Sequence, residues 1–573
     1  MIAELFSPFQ ASKLSRAVLV LAEEDGSSPD AMLEKFAYSI VQGADGAHAA
    51  PGQRFLAERY GGIGIRSNGG GARCGVRDGW LVKGMGCNQL LGEGMNFWSS
   101  HGSLSLADAA GEYIWARLLD IALPHGAVAT PAVIASGGAS WTRGPDGDKL
   151  AVPGALMVRQ AAYRLASFER ALYFRPARVD AVIGCSDVAR VRAALAILPR
   201  VLPAPPGLSE AEFGALAGPE RLRAGLLEAV RRFGAQFAAA SAKRIMHGSM
   251  ASSNIALDGR WMDLGSITGL PRFGIRKIFR PSFWAEYTRL IPGLQNIVYY
   301  LDKYGEHGGA GAAAGLHGLE QRLRPAYYRQ LSTELVIRSG FPEDAVRQRQ
   351  DDPDVGALGA LLITLAQAGT SVDKPAGPDA VDAIGSYAFG AIVWTLASSR
   401  TAEQSAHRLA PLLRCARLAT TLTLAYRRVA LMVRESYFGA ELSADNFRRL
   451  CGLRAAKAGK DIDLFSRPVL NRHIQRLVRD APEPAALSAP LRQLARRLGD
   501  QAEMVLRSQA AATCTMWREA DVQVRFDACL GRWRVGARGV SAPWEAVLGE
   551  TCDALPARAM RQFWGADVFE ALT

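Results

Sequence analysis

The amino-acid sequence predicts an α+β protein with a strand-rich N-terminal part and a large, mainly helical C-terminal region. Between residues 51 and 175, glycines separate short runs rich in apolar and β-branched residues, which is typical of strands. From about residue 176 onward, apolar residues recur at helical spacing. A chain of 573 residues is longer than one hydrophobic core usually grows, so we expect roughly two to four domains or lobes.

Two strands and one helix stand out in the strand-rich part. The runs 80–83 and 155–159 have the composition of strands. Residues 106–122 carry apolar side chains at helical spacing, and Pro124 shortly afterwards would end that helix. The pattern predicts a small sheet with a single helix packed on it.

The rest of the chain is dominated by helical patterns. An apolar stripe indicates one long helix that leads into His247, and its members are Leu226, Val230, Phe233 and Phe237. Near the C-terminus, the alternating runs 522–526 and 532–535 are compatible with a late hairpin. The sequence therefore divides into an N-terminal extension (1–50), a strand-rich lobe (51–175), a lobe that begins helical (176–300) and a mainly helical region (301–573).

Composition and charge disfavour several classes of partner. The net charge is +12, but the arginines are scattered in pairs such as Arg231-Arg232 along helical stretches. This distribution favours solvated helix faces over a nucleic-acid groove. No apolar run approaches the roughly 20 residues that a bilayer requires, and the apolar run near the N-terminus is too short for a convincing signal peptide. We expect a cytoplasmic protein without a nucleic-acid or membrane partner.

The segment 254–263 contains the strongest local signal. Asp258-Gly259 between short apolar runs predicts a two-residue hairpin turn, and this register places Asn254 opposite Asp263. An amide oxygen and a carboxylate at that separation would suit Mg²⁺ or Mn²⁺, which keep few protein ligands. Taken alone, the hairpin is equally compatible with two ends that only hydrogen-bond to each other.

The order of residues around this hairpin resembles the lower lobe of a protein kinase. There, a long helix is followed by a catalytic loop, a metal-binding Asn and a metal-binding Asp. The upper lobe should then supply a lysine and a helical glutamate, for which Lys83 and Glu112 are the candidates. Each of the two, taken singly, is compatible with a plain surface charge.

A glycine-rich stretch precedes the candidate lysine. It extends from Tyr60 to Gly71 and includes Gly62 and Gly64. Glycines let backbone amides approach an anion closely, so this stretch is a candidate for phosphate binding. A flexible hairpin has the same composition, and it is the position ahead of Lys83 that favours the first interpretation.

The stretch from about residue 55 to 300 contains several ordered motifs. They are Tyr60-Gly61-Gly62, Leu81-Val82-Lys83-Gly84-Met85-Gly86, Gly111-Glu112-Tyr113, Arg159 and Arg164 followed by Phe168-Glu169, His247-Gly248-Ser249-Met250-Ala251-Ser252-Ser253-Asn254, and Asp263-Leu264-Gly265. In this order they resemble the motifs of the selenoprotein O family, whose members are kinase-like enzymes that transfer AMP from ATP to protein hydroxyls. The two arginines lie two residues closer together than in the family pattern.

The resemblance implies a protein-kinase-like two-lobed fold and a flipped ATP, whose α-phosphate faces the acceptor. Lys83, Arg159 and Arg164 would neutralise the β- and γ-phosphates, and Asn254 and Asp263 would hold Mg²⁺ or Mn²⁺. The acceptor would be a protein, a peptide or a small molecule, and pyrophosphate would leave.

One departure from the family pattern bears on the acceptor. Ser253 stands where the family has an acid next to the metal-binding Asn, so the carboxylate that would deprotonate a hydroxyl is missing. Hydroxyl adenylylation is the leading hypothesis. The alternatives are activation of a carboxylate in peptide or natural-product tailoring, which needs no base, and a non-catalytic nucleotide-binding pseudokinase.

Overall fold

The structure is an α+β protein, as the sequence predicts, with an antiparallel sheet in the N-terminal part and helices through most of the C-terminal region. The computed structural model describes residues 3–23, 28–40, 52–144, 146–178, 181–270, 283–305, 315–369, 388–439, 442–507, 512–520, 522–536, 540–547 and 555–573.

The N-terminal sheet contains nine strands. Its path runs β2-β8-β9-β6-β5-β4-β1-β3, and the short β7 pairs with β9. The strands are β1 (Phe6–Lys13), β2 (Val18–Ala22), β3 (Tyr38–Ser39), β4 (Gln53–Glu58), β5 (Cys74–Arg77), β6 (Trp80–Lys83), β7 (Leu104–Ser105), β8 (Ala132–Arg143) and β9 (Lys149–Gln160). Helix α1 (Pro29–Phe36) precedes β3, and α2 (Phe97–Ser100) precedes β7.

Strand β6 and helix α3 (Leu106–Ala122) confirm the two sharpest predictions for this part. The side chain of Ser105 accepts a hydrogen bond from the backbone N–H of Asp108 and so caps the helix. The expected boundary at residue 50 does not separate two units, because β1 pairs with β4 and β2 pairs with β8. The polar, glycine-containing stretch before residue 52 resembles a linker in sequence, yet the strands ahead of it complete the sheet.

The helices after the sheet follow the predicted pattern. They are α4 (Asp187–Val201), α5 (Glu210–Ala215), α6 (Gly218–Ala242) and α7 (Ile291–Tyr304), with the short strands β10 (Ile245–Met246) and β11 (Thr268–Gly269) paired between α6 and α7. All four residues of the predicted apolar stripe on α6 are buried in the main core. Helix α6 therefore delivers the chain directly to His247 and the loop that follows.

The C-terminal region is mainly helical. Its helices are α8 (Leu323–Arg338), α9 (Glu343–Gln348), α10 (Pro353–Gly369), α11 (Ala388–Ser398), α12 (Ala402–Leu413), α13 (Ala416–Val433), α14 (Ala444–Gly459), α15 (Arg467–Asp480), α16 (Ser488–Val505), α17 (Leu555–Trp564) and α18 (Ala566–Glu570). The late hairpin is present as β13 (Val522–Asp527) and β14 (Arg532–Val535), inside a four-stranded sheet with β12 (Thr513–Glu519) and β15 (Val540–Pro543). Within the described ranges, no helix combines the length and apolar character needed to cross a membrane.

Candidate nucleotide and metal site

A buried chain of ion pairs links the sheet, helix α3 and the segment before β11. Lys83 Nζ on β6 lies 2.8 Å from Glu112 Oε1 on α3 and 2.9 Å from Asp263 Oδ1. The other oxygen of Glu112 accepts a hydrogen bond from the backbone N–H of Leu264 at 3.2 Å. The lysine, the helical glutamate and the aspartate that the sequence singles out are therefore in direct contact.

Two arginines also hold Asp263. Strand β9 pairs with β6 in a register that makes Arg159 a diagonal neighbour of Lys83 on one face of the sheet. Arg159 Nη1 lies 2.8 Å from Asp263 Oδ1, and Arg164 Nη1 lies 3.3 Å from Oδ2. Arg164 also pairs with Glu58 at 3.2 Å, and its side chain is only 2% exposed. Arg164 thus lies behind Asp263, whereas Arg159 reaches the adjoining cleft.

The charges of this cluster balance. Its three cations are Lys83, Arg159 and Arg164, and its three carboxylates are Glu58, Glu112 and Asp263. Burial opposes ionisation of Asp263, but the three cations around it hold the pKa of its carboxyl well below its usual range. For Lys83, burial alone would lower the pKa, but the carboxylates of Asp263 and Glu112 raise it above the ordinary value. The surrounding charges thus favour the charged forms of both Asp263 and Lys83 in the interior.

An open cleft of about 470 Å³ adjoins the cluster, and its wall includes Lys83, Glu112, Arg159, Asn254 and Asp263. Three further arginines line it, namely Arg66, Arg73 and Arg467. Within the part of the chain that the structure describes, their guanidinium groups form no hydrogen bond or ion pair with a carboxylate. The cleft therefore has positive charge available beyond the neutral cluster, which suits a polyanion.

The hairpin at 254–263 differs from its prediction. Ile255 pairs with Trp261, one residue out of the predicted register, and residues 252–254 form a 3-10 turn instead of a strand. Trp261 is fully buried, with its ring 5.2 Å from Phe237 on α6, and its strand also pairs with Ala127. Burial of this indole and pairing with the 126–128 segment override the two-residue turn preference. Asn254 and Asp263 consequently are not a cross-strand pair, although both line the cleft.

Asn254 and Asp263 suit a hard divalent cation. The amide nitrogen of Asn254 donates to the Ser249 carbonyl at 2.7 Å, which leaves the amide oxygen to accept from the Ser253 hydroxyl at 3.2 Å. One amide oxygen and one carboxylate are the kind of small ligand set that Mg²⁺ uses together with phosphate oxygens. Among the described residues, no group of three or more His, Cys, Asp or Glu side chains could hold a metal alone. The donors therefore fit a metal that arrives with a phosphorylated ligand.

The two candidate glycines allow the 60–71 stretch to pack closely on the loop before Asn254. Gly62 has φ +83°, and a Cβ there would lie 2.6 Å from Glu169 Oε1 and 2.8 Å from Ser252 Oγ. A Cβ at Gly64 would lie 2.5 Å from Ser253 Oγ. Gly64 lines the cleft and Gly62 does not. Contact between backbone amides and phosphate therefore stays a prediction for Gly64 and no longer includes Gly62.

The loop that leads to Asn254 is anchored by Glu286. The backbone N–H groups of His247 and Gly248 donate to the Glu286 carboxylate at 3.0 and 2.7 Å. The His247 ring is fully buried, lies 2.9 Å through Nε2 from the Met262 carbonyl, and has its pKa lowered by burial to about 4. Burial raises the pKa of Glu286 to about 7 despite these two hydrogen bonds.

Sequence reasoning missed several residues of the site, namely Glu58, Arg66, Arg73, Glu286 and Arg467. Arg66 and Arg73 lie on either side of Gly69-Gly70-Gly71. Basic residues beside a glycine run are a sequence signal for phosphate binding, and this signal could have identified them. No local pattern connects Arg467 with a cleft built from residues 60–266, since only the packing of the C-terminal region brings it there.

Comparisons with known proteins give no match to this chain, either among family models or among curated sequences.

The raised pKa of the Glu286 carboxyl predicts how the stability of the folded chain depends on pH. Because the pKa of Glu286 is about 7 in the folded chain and about 4.3 for an unfolded carboxyl, the folded state binds the proton more tightly between these values. The contribution of Glu286 to the free energy of unfolding should therefore fall by roughly 3 kcal/mol as pH rises from about 4.5 to about 7, whereas the lowered pKa of His247 contributes in the opposite direction over part of this range. Glu286→Gln removes this contribution, which urea unfolding at several pH values measures as a difference from the wild type.

Glu93→Gln, at an exposed position, is the matched control and should leave the pH dependence unchanged. If the free energy of unfolding varied with pH in the same way for the wild type and Glu286→Gln, the assignment of this pH dependence to the Glu286 carboxyl would be wrong.

Proposed function

We propose that this chain is an ATP-dependent adenylyltransferase with a protein-kinase-like two-lobed nucleotide site. It would move AMP to a protein, peptide or small-molecule acceptor and release pyrophosphate. The observation that carries the proposal is the contact of Lys83 with both Glu112 and Asp263 beside a cleft that also contains Asn254. In kinases, residues of these types hold the nucleotide phosphates and the metal ions.

The distribution of charge along the cleft supports a nucleotide that enters with its phosphates first. Lys83 and Arg159 are almost fully buried, whereas the apolar side chains of Met95 and Trp98 are only partly buried. A base would find its apolar contacts at Met95 and Trp98, and the β- and γ-phosphates would meet the buried cations. This orientation presents the α-phosphorus to the outside, which favours adenylyl over phosphoryl transfer.

The roles of the residues follow from this arrangement. Lys83, Arg159 and Arg73 bind the distal phosphates, which compete with the Asp263 carboxylate for the first two cations. Arg164 is a positioning residue that keeps Asp263 in place from behind. Mg²⁺ or Mn²⁺ held by Asn254 and Asp263 would supply positive charge to the phosphate chain. A new bond forms between the acceptor oxygen and the α-phosphorus, the bond from that phosphorus to pyrophosphate breaks, and a hydroxyl acceptor loses its proton to solvent.

A second cavity, of about 660 Å³, supports a place for the acceptor. It shares Gly64, Arg66 and Ser249 with the nucleotide cleft, so the two spaces adjoin. Most of its remaining wall comes from the loop 248–252 and from residues 286–293, which lead into α7, and Ile63, Glu169 and Met246 complete it. An acceptor there would approach the nucleotide beside the Ser249–Asn254 loop.

A carboxylate acceptor is the second candidate, and two observations favour it. Ser253 supplies no carboxylate beside Asn254. The second cavity also has the exposed Arg66 and Arg289 in its wall, which would attract an anion. A carboxylate is already ionised, so its attack on the α-phosphorus requires no base, and the product would be an acyl adenylate.

The transferred group distinguishes the proposal from its alternatives. The full chain is incubated with Mn²⁺, denatured casein as a hydroxyl-bearing substrate, and ATP labelled in either the α- or the γ-phosphate. We expect the α-label on protein and the γ-label in pyrophosphate. Label from the γ-phosphate on protein would contradict adenylyl transfer, and ATP binding without transfer or pyrophosphate release would support a nucleotide-binding pseudokinase. Asp263→Ala is the inactive control.

Substitution of Ser253 tests the class of acceptor. If the acceptor is a hydroxyl, Ser253→Asp supplies the missing base and should raise transfer by about 10²-fold. If it is a carboxylate, the added negative charge repels it and the rate of pyrophosphate release should fall. Ser253→Asn is the matched control of similar size without charge. Equal rates for the two variants would show that position 253 does not choose the acceptor, and the buried Glu169 in the second cavity would then be the remaining candidate base.

A further inference from the structure

Part of the C-terminal region lies against both elements that carry the candidate site. Phe465 packs on β11, where a Cβ at Gly269 would lie 2.8 Å from Phe465 Cβ. The Phe465 ring also lies 6.2 Å from the ring of Trp115 on α3. One residue before Glu112, a Cβ at Gly111 would lie 3.7 Å from Asn471 Oδ1 on α15. Residues 465–471 thus join α3, which carries Glu112, to the strand that follows Asp263.

Arg467 begins helix α15 at this junction. Its backbone N–H donates to Thr268 Oγ1 on β11 at 3.0 Å, which fixes the start of the helix beside the segment 264–269. The side chain is exposed and lines the nucleotide cleft together with Gly265 and Ser266. Within the described ranges, its guanidinium group forms no hydrogen bond or ion pair with another residue.

The charge balance of the cleft gives this guanidinium a role. The buried cluster is already neutral, because Lys83, Arg159 and Arg164 are matched by three carboxylates. A nucleoside triphosphate brings about four negative charges, and one divalent metal offsets only half of them. The unpaired guanidinium groups that line the cleft can supply the rest, because they outnumber Asp108, which also lines it. Arg467 is the one of these that comes from outside the two proposed lobes.

From these contacts we propose that the helical C-terminal region is part of the nucleotide site, through an Arg467 guanidinium that binds the phosphate chain. This inference rests on the proposed nucleotide site and adds to it a residue and a chain segment. Thr268 is the positioning residue, since its hydroxyl holds the backbone of Arg467. The C-terminal region then contributes to the site in two ways. It packs against α3 and β11, and it adds positive charge around the ligand.

The test is calorimetric binding of ATP with Mg²⁺, and of inorganic tripolyphosphate, to the full chain and its variants. Arg467→Ala should weaken both ligands about tenfold or more, because it removes a charge-assisted contact to phosphate. Arg476→Ala, at an exposed arginine of the same helix, is the matched control and should bind like the wild type. Thermal unfolding of each variant confirms that the fold is intact.

The possible outcomes are distinct. Unchanged binding by Arg467→Ala, with a wild type that binds ATP, would overturn the inference and leave the nucleotide site standing. Weaker ATP with unchanged tripolyphosphate would overturn the assignment to phosphate, because Arg467 would then contact the nucleoside. A wild type that binds neither ligand would remove the proposed function itself.

A double-mutant cycle tests the positioning role. Thr268→Val should weaken ATP by a smaller factor of about two to five, and it should add nothing once Arg467 is already Ala. Additive losses would mean that Thr268 acts independently of Arg467 and would overturn its positioning role.

Discussion

Three buried cations converge on the carboxylate of Asp263, and the shape of the cleft depends on this contact. Two of them come from adjacent strands, β6 and β9, and the third, Arg164, comes from the chain just after β9. Without the aspartate, these cations would face only Glu58 and Glu112, and an uncompensated buried charge costs several kcal/mol. The carboxylate thus ties the sheet to the loop that follows α6. The left-handed backbone of Asp263, with φ +58°, is retained although it is unfavourable for a residue with a Cβ.

The same contact determines what the cleft can bind. Because the cluster is neutral and Asp263 already has three cationic partners, a free divalent cation would have to approach positive charge to reach it. In the proposed site, a polyphosphate would reverse this situation, since its oxygens would take over Lys83 and Arg159 and bring negative charge for the metal. The hydrogen bond from the Leu264 backbone to Glu112 connects the residue after Asp263 to α3. Residues 465–471 pack on both α3 and β11.

Local signals predicted the local elements well. The bounds of β6 and α3 follow from an apolar run and from helical spacing that ends shortly before Pro124, and the stripe on α6 is buried as its period requires. Motif order predicted that Lys83 pairs with Glu112 in one site with Asp263, and the direct contact of Lys83 with Asp263 was found only in the structure. The register of the 254–263 turn was wrong because burial of Trp261 and pairing with the 126–128 segment are tertiary effects. Strands β1 and β2 in the main sheet, and Arg467 in the cleft, depend on contacts between distant parts of the chain, which no local pattern encodes.

In the proposed site, Asp263 would become a metal ligand only when phosphate takes its cationic partners. Equilibrium dialysis of Mn²⁺ against the full chain, with bound metal counted by EPR, tests this claim directly. We expect little Mn²⁺ to be retained by the chain alone, and about one ion per chain in the presence of α,β-methylene ATP, which cannot transfer AMP. Asp263→Ala should abolish the retained ion. Equal retention of Mn²⁺ with and without the nucleotide, or retention that survives Asp263→Ala, would contradict the account.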